Sequence, residues 1–134
     1  MFPVPDIPIG TRGEERRRVT PEIAIDFLGL PGARVLGTPF MIMLMEITCR
    51  NSVLPLLGEG YDTVGTEVCI RHLAATPLGM EVTYRSELIA VEDRRLKFKV
   101  EAFDEKEKVG EGTHERGIIN VAKFAARVAG KVSG

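Results

Sequence analysis

The chain has 134 residues, of which 44% are hydrophobic and 28% charged, and its formal net charge is −1 at pH 7. This length fits a single domain with a substantial core, and this composition excludes a disordered chain. The near-zero charge provides no bulk field toward nucleic acid or an anionic membrane, so we expect neither as a partner.

The two cysteines, Cys49 and Cys69, and the lack of any CxxC pair exclude a disulfide framework and a zinc knuckle. They indicate a reduced compartment. Residues 1–10, MFPVPDIPIG, carry three prolines and no basic start before an apolar run. This predicts an extended lead-in and not a signal peptide, so we expect a cytoplasmic protein.

The first third of the chain contains signals for one strand and one short helix. A strand is predicted over residues 13–19. A helix is predicted over 20–29, because Thr20 is a capping residue, Pro21 suits the first helical position and Gly29 can end the helix.

The strongest helix signal is TPFMIMLMEITCRNSVLPLLGEG, residues 38–60, in which Gly58 can end the helix. Thr38 can cap this helix and Pro39 can start it. Nearly every side of the helix is apolar, which is typical of a buried helix. The apolar stretch over 38–49 is interrupted by Glu46 and is too short to span a bilayer.

Alternating patterns follow the central helix. They predict strands near 63–74, 79–91, 95–104 and 109–121 and a final half-helix after them. Only the one long helix is available to cover an apolar sheet face, so we predict an α+β fold in which a curved antiparallel sheet wraps around that helix. The other face and the edges of the sheet would stay exposed in a monomer, which predicts a homodimer.

Glu46 is the first candidate for chemistry, because an ionised carboxylate inside an apolar stretch is costly unless it is paired or hydrogen-bonded. One interpretation places it on a wet side of the helix, paired with Arg50 one turn later. The other places it in a functional pocket.

His72 is the second candidate. By strand parity it shares an apolar face with Val64, Thr66, Val68, Ile70 and Ala74, and Cys69 lies on the other face. His72 should then point toward the helix that carries Glu46, as an acid–base pair in a partly dry pocket. The alternative is a core histidine whose ring is satisfied by backbone carbonyls.

The segment GEGTHERGI, residues 110–118, is the third. His114 and Arg116 have the same parity. Arg116 suits an anionic or polar ligand group, or else a salt bridge with Glu115 or Glu67. The histidines and acids lack the spacing of a metal site, so we expect no metal.

Three segments together carry a family likeness: VLGTPFMIMLMEITC, TVGTEVCIRHLAATPLGMEVTYRSEL and RRLKFKVEAFDEKEKVGEGTHERGII. They resemble the fluoroacetyl-CoA-thioesterase-like family of hotdog-fold thioesterases over about residues 35–124. The strings VGT, H.AATP.G and G.HER occur in order with matching gaps. The likeness predicts one hotdog domain over residues 1–134.

The resemblance implies an acyl-CoA thioesterase that hydrolyses a small acyl-CoA to the free acid and coenzyme A. The catalytic threonine, glutamate and histidine of the family fall on Thr38, Glu46 and His72, and its substrate-binding positions on Gly65 and Arg116. The resemblance further implies no cofactor and a homodimer. The alternative is a non-catalytic hotdog module that binds an acyl-CoA or another small ligand.

Two points stay open at this level. The fluoroacetyl enzyme has a longer, aromatic-rich lid before the central helix, whereas Phe27 is the only aromatic residue between 20 and 37 here. The acyl group is therefore undetermined. Candidate contacts to the coenzyme A phosphates are Arg34, Arg50 and Lys123.

Overall fold

The structure is a computed structural model that describes residues 5–133. It contains seven strands, two α-helices and a short 3₁₀ turn in that range: β1 (Arg12–Arg18), the 3₁₀ turn (Pro21–Ile23), β2 (Ala24–Asp26), β3 (Arg34–Leu36), α1 (Thr38–Leu57), β4 (Tyr61–His72), β5 (Glu81–Glu92), β6 (Arg95–Phe103), β7 (Lys108–Asn120) and α2 (Val121–Ser133).

Five strands form one antiparallel sheet in the order β1-β5-β6-β7-β4, and β2 and β3 form a separate two-stranded ribbon. Helix α1 contacts all five strands of the large sheet. The predicted α+β architecture, an antiparallel sheet around one long helix, is confirmed. The four strands after the central helix begin and end within two residues of their predicted positions.

The core lies between α1 and the sheet. Strand β6 presents alternate residues to the helix, as the period of two requires: Leu96, Phe98, Val100 and Ala102 are buried. From the helix, Met41, Leu44, Met45, Cys49 and Val53 are fully buried. Burial of each large apolar side chain stabilises the fold by about 1.5–3 kcal/mol.

The predicted helix over residues 20–29 is wrong. Only Pro21–Ile23 form a 3₁₀ turn, and Thr20 makes no side-chain cap. Ala24–Asp26 then pair with Arg34–Leu36 as β2 and β3. The local capping signature was overridden by a strand partner ten residues later.

Helix α1 has the predicted bounds to within one residue, Thr38–Leu57, and extends beyond the apolar stretch 38–49. Its 20 residues are long and apolar enough, by length and composition alone, to cross a membrane. The expectation of a segment too short to span a bilayer was drawn from residues 38–49 and does not hold for the whole helix. Its seven buried residues pack in the core of the domain, which accounts for its apolar composition.

The two ends of the chain differ in how they pack. Residues 1–4 of the expected lead-in lie outside the described residues, while Ile7 is buried against the core. The predicted C-terminal helix is confirmed as α2. All its residues are exposed, including the predicted stripe of Val121, Phe124 and Val128.

Candidate active site

Thr38 and His72 meet at the beginning of α1. The N-cap residue is Gly37, whose extended backbone leads into the helix, so Thr38 is the first helical residue and not the cap. Its hydroxyl Oγ1 lies 2.7 Å from Nδ1 of His72. Of the two roles considered for Thr38, the structure excludes the cap and leaves the hydroxyl bonded to the imidazole.

A β-bulge in β4 orients the residues of that strand. The β4–β7 register shifts between Gly65 and Glu67, so Thr66 is the extra residue. On strict alternation Gly65 and His72 would face opposite sides of the sheet. The bulge brings both to the α1 side: a Cβ on Gly65 would lie 2.6 Å from Oε1 of Glu46.

This bulge corrects the predicted face of His72. Arg116 points inward, so the next residue of β7, Gly117, faces outward. Thr66 lies beside Gly117 and is therefore on the outer face. Strand parity had predicted that Val64 and Thr66 share the face of His72, and this prediction is wrong. The prediction that His72 points toward α1 is nevertheless confirmed, because its ring contacts Thr38 of that helix. The parity error affects only the residues up to the bulge.

Glu46 lies two turns along α1 from Thr38 and its side chain is 37% exposed. Its Oε1 is 3.6 Å from Nη1 of Arg116 and 3.7 Å from Nε2 of His114. Among residues 5–133 it forms no ion pair with His72. The expected pair of Glu46 with His72 is therefore not formed, and the imidazole nearest to the Glu46 carboxylate is that of His114.

The surface interpretation paired Glu46 with Arg50, and that partner is wrong. Arg50 instead forms a bidentate salt bridge with Asp62, with Nε–Oδ1 and Nη2–Oδ2 distances of 2.9 and 2.6 Å. This pair occupies the guanidinium of Arg50 and raises its pKa. The charged or ionisable neighbours of Glu46 are therefore Arg116 and His114 on β7.

Arg116 is a buried cation with fixed geometry. Nε donates to Oγ1 of Thr63 at 2.7 Å and Nη2 donates to the Thr63 carbonyl at 2.9 Å. Its predicted alternatives, salt bridges to Glu115 or Glu67, are not formed in the described chain. Burial lowers the pKa of Arg116, and Glu46 offsets part of that effect.

His114 is the site residue that the sequence reasoning did not select. Its ring is 1% exposed, and Nε2 lies 3.1 Å from Nη1 of Arg116. The available signal was its position two residues before Arg116, on the same face of β7. Burial lowers the pKa of both His72 and His114 below their ordinary 6.5. Both rings are therefore neutral near pH 7.

The three candidate phosphate contacts have different surroundings. Arg50 is engaged by Asp62, and Nη2 of Arg34 donates to the Pro21 carbonyl at 3.0 Å. Lys123 lines a groove of about 280 Å³ between α2 and the end of β7. The other cationic residues of that groove are Arg94 and Arg127.

Chemically, the site combines a carboxylate, a neutral imidazole bonded to a hydroxyl, and a buried guanidinium. The carboxylate can attack an electrophilic carbonyl or deprotonate water. The neutral imidazole can accept a proton. Among residues 5–133, no group of three or more His, Cys, Asp or Glu side chains could hold a metal ion.

The profile of a family described as fluoroacetyl-CoA-specific thioesterase matches residues 19–122. The fluoroacetyl-CoA thioesterase of Streptantibioticus cattleyicolor is 45% identical over 97 residues, which cover 72% of this chain and 70% of that enzyme.

Solved structures agree with this match. The fluoroacetyl-CoA thioesterase FlK superposes with a TM-score of 0.85 at 38% identity, covering 94% of this chain and 98% of the other. A threonine-to-serine variant of it, in complex with acetyl-CoA, has a TM-score of 0.85 at 37% identity, with coverage of 93% and 98%. A thioesterase superfamily member from Thermus thermophilus gives 0.85 at 32% identity, with coverage of 99% and 96%.

Proposed function

This chain belongs to the fluoroacetyl-CoA-specific thioesterase family, and we propose that it hydrolyses a small acyl-CoA to the free acid and coenzyme A at a site built from Thr38, Glu46 and His72. The observation that carries the site is local. Glu46 lies against the side-chain-free face of Gly65, on the same side of β4 that holds the Thr38–His72 pair.

The relatives support the substrate class. The similar enzymes are named for fluoroacetyl-CoA, and one variant was solved with acetyl-CoA. In this chain Phe27 is 53% exposed at the end of β2. We therefore propose a short acyl-CoA without restricting it to the fluorinated one.

The residues support two routes to the same products. In one, a Glu46 oxygen attacks the thioester carbonyl, the thiolate leaves, and water hydrolyses the resulting mixed anhydride. In the other, Glu46 removes a proton from the water that attacks the carbonyl. In either route the neutral His72 accepts and returns protons through the Thr38 hydroxyl. Backbone N–H groups near Gly65 or in the first turn of α1 are the proposed oxyanion donors.

Isotope labelling separates these routes. In a single turnover in H₂¹⁸O, attack of water on the Glu46 carbonyl of the anhydride places one ¹⁸O in the Glu46 carboxylate, which only the covalent route can do. Attack on the acyl carbonyl of the anhydride, like the general-base route, leaves Glu46 unlabelled and the label in the product acid. Mass spectrometry of the peptide that contains Glu46, together with trapping of the anhydride by hydroxylamine, distinguishes the routes: the covalent route gives a labelled or trapped Glu46, and the general-base route gives neither.

We also propose a homodimer whose active site takes residues from both protomers. Thr38 and Glu46 are eight residues apart on α1, a rise of about 12 Å. One thioester carbonyl cannot contact both clusters of the same protomer at that separation. A two-fold axis beside the exposed edge strand β4 would bring the Thr38–His72 pair of one protomer to Glu46 of its partner.

Mixing two inactive variants tests this arrangement. Glu46→Ala and His72→Ala dimers, unfolded together and refolded in equal amounts, should recover about a quarter of the wild-type rate, because half the dimers are mixed and each has one intact site. A site contained in one protomer would recover nothing, since every site would then lack one residue. Each variant refolded alone is the control.

The activity itself is tested with a panel of acyl-CoA substrates. Release of free thiol is followed for acetyl-, fluoroacetyl-, propionyl-, butyryl- and palmitoyl-CoA. The proposal expects turnover that is greatest among the short acyl groups. Saturable binding without thiol release across the panel would favour the non-catalytic module instead. The cytoplasmic location stays a prediction, consistent with two cysteines that are both free thiols.

A further inference from the structure

His114 is buried beside Glu46 and has no part in the proposed chemistry. Its Nδ1 lies 2.7 Å from the Glu67 carbonyl oxygen, and its Nε2 lies 3.1 Å from Nη1 of Arg116. Glu46 approaches the same guanidinium nitrogen, with Oε1 at 3.6 Å. The ring and the carboxylate therefore face the same donor.

The hydrogen-bond partners determine the tautomer of the ring. A carbonyl oxygen only accepts, so the proton is on Nδ1, which donates to Glu67. A guanidinium nitrogen only donates, so Nε2 carries the lone pair and accepts from Arg116. Burial and the neighbouring Arg116 lower the pKa of the ring, in agreement with a neutral form.

The Arg116 guanidinium is thus held at three points. Thr63 accepts from Nε and from Nη2, and His114 accepts from Nη1. Nη1 carries two N–H groups, so its bond to His114 fixes the position of the guanidinium and does not exhaust its donors. Without the acceptor on His114, the guanidinium would be free to move toward Glu46. A guanidinium and a carboxylate in direct contact form a strong, charge-assisted pair with a shorter distance than 3.6 Å.

We propose that His114 is a positioning residue for Glu46: its neutral ring accepts a hydrogen bond from Nη1 of Arg116 and so keeps the guanidinium out of direct contact with the carboxylate. The oxygens of Glu46 then remain available to the thioester or to water. This inference rests on the proposed function for its catalytic meaning. The arrangement of the three side chains is testable without any substrate.

The chain offers a direct spectroscopic test, because it has only two histidines. ¹⁵N-imidazole NMR of the wild-type protein near neutral pH should give one ring with Nδ1 protonated and Nε2 unprotonated that persists in His72→Gln and is absent from His114→Gln. A His114 ring that is protonated on both nitrogens, or that carries its proton on Nε2, would overturn the proposal.

Two substitutions separate the donor from the acceptor of the ring. In His114→Gln, the side-chain oxygen can occupy the place of Nε2 and accept from Arg116. In His114→Asn, the shorter amide can donate to the Glu67 carbonyl but leaves Nη1 without its acceptor. We expect the asparagine variant to lose kcat by about tenfold to a hundredfold with little change in KM. The glutamine variant should retain most of the wild-type kcat.

Stability measurements identify a merely structural role. If both variants lose the same fraction of kcat and of thermal stability, His114 is a packing residue and the proposal is wrong. A crystal structure of His114→Asn should show Arg116 and Glu46 in direct contact, and an unchanged separation would also contradict the proposal. Wild-type protein that hydrolyses no thioester would refute the proposed function, whereas the NMR result would still decide the geometry.

Discussion

Replacement of Gly65 by alanine perturbs the Glu46 carboxylate with a single methyl group. The added Cβ would lie 2.6 Å from Oε1 of Glu46, whereas ordinary contacts begin at 3.4 Å. The carboxylate must therefore retreat by about 0.8 Å, since the backbone of Gly65 is held in the β4–β7 ladder. The next contact, at 3.3 Å to Cε1 of His114, needs a shift of only about a tenth of an ångström to reach 3.4 Å.

The magnitude follows from that displacement. A misplacement of about 1 Å at a reacting group costs roughly 10²-fold in rate, which corresponds to about 2.7 kcal/mol of activation free energy. The fold should tolerate the change, because Glu46 is the partly exposed end of a flexible side chain. An alanine at an ordinary backbone conformation also restricts the unfolded chain, which contributes about 0.4–1 kcal/mol of stability.

The assay compares kcat/KM for thiol release and the melting temperature of Gly65→Ala with those of Gly117→Ala. Gly117 is a strand glycine on the outer face, where a Cβ would make only an ordinary 3.6 Å contact with Thr66. We expect a loss of about 10²-fold for Gly65→Ala and less than about threefold for the control. Equal activity in the two variants would refute the placement of Glu46 against Gly65.

Further predictions concern the other residues of the site and the core. Thr38→Val should lower kcat by about tenfold, as expected for one lost hydrogen bond to His72, while Thr38→Ser should retain the rate; equal losses would contradict this. Because burial lowers the pKa of His72, its neutral form persists to more acidic pH, and the acid limb of kcat/KM should have its midpoint below 6.5; a His72 midpoint above 6.5 by NMR would be inconsistent. Arg50→Ala should change KM by less than about threefold and the free energy of unfolding by less than about 1 kcal/mol, since the partly exposed guanidinium is bound to Asp62; a large rise in KM would return Arg50 to the substrate site. Burial raises the pKa of Cys49 to about 12, so peptide mapping should find its thiol modified by a maleimide only after unfolding.

The parts of the fold that could be predicted are those with long periodic patterns. Strands β4 to β7 alternate over nine to thirteen residues each, and α1 is apolar over most of 20 residues. Such patterns determine the type of an element because burial of one face rewards a single period. The segment 20–29 has no comparable pattern, and its capping signals were local. Its true partner, Arg34–Leu36, is a tertiary contact.

The candidate site shows the same division. Glu46 and His72 could be selected because each is a polar residue among apolar neighbours, and Arg116 because it lies in the glycine-rich segment 110–118. The family likeness supplied Thr38 and Gly65. The bulge at Thr66 could not be read from β4 alone, because it is a property of the pairing with β7. Glu46 lies beside His114 and not beside His72. This neighbour also depends on the pairing of β4 with β7, so it could not be predicted from either strand alone.

Thiol release by Glu46→Gln, measured on the acyl-CoA that the wild-type protein hydrolyses fastest, tests the central claim most directly. Glutamine keeps the size of the side chain but can neither attack the thioester nor accept a proton from water. The account predicts a loss of about 10²- to 10⁴-fold in kcat with the substrate still bound and the melting temperature preserved. A variant that retains the rate to within about tenfold of wild type would show that Glu46 does not carry the reaction.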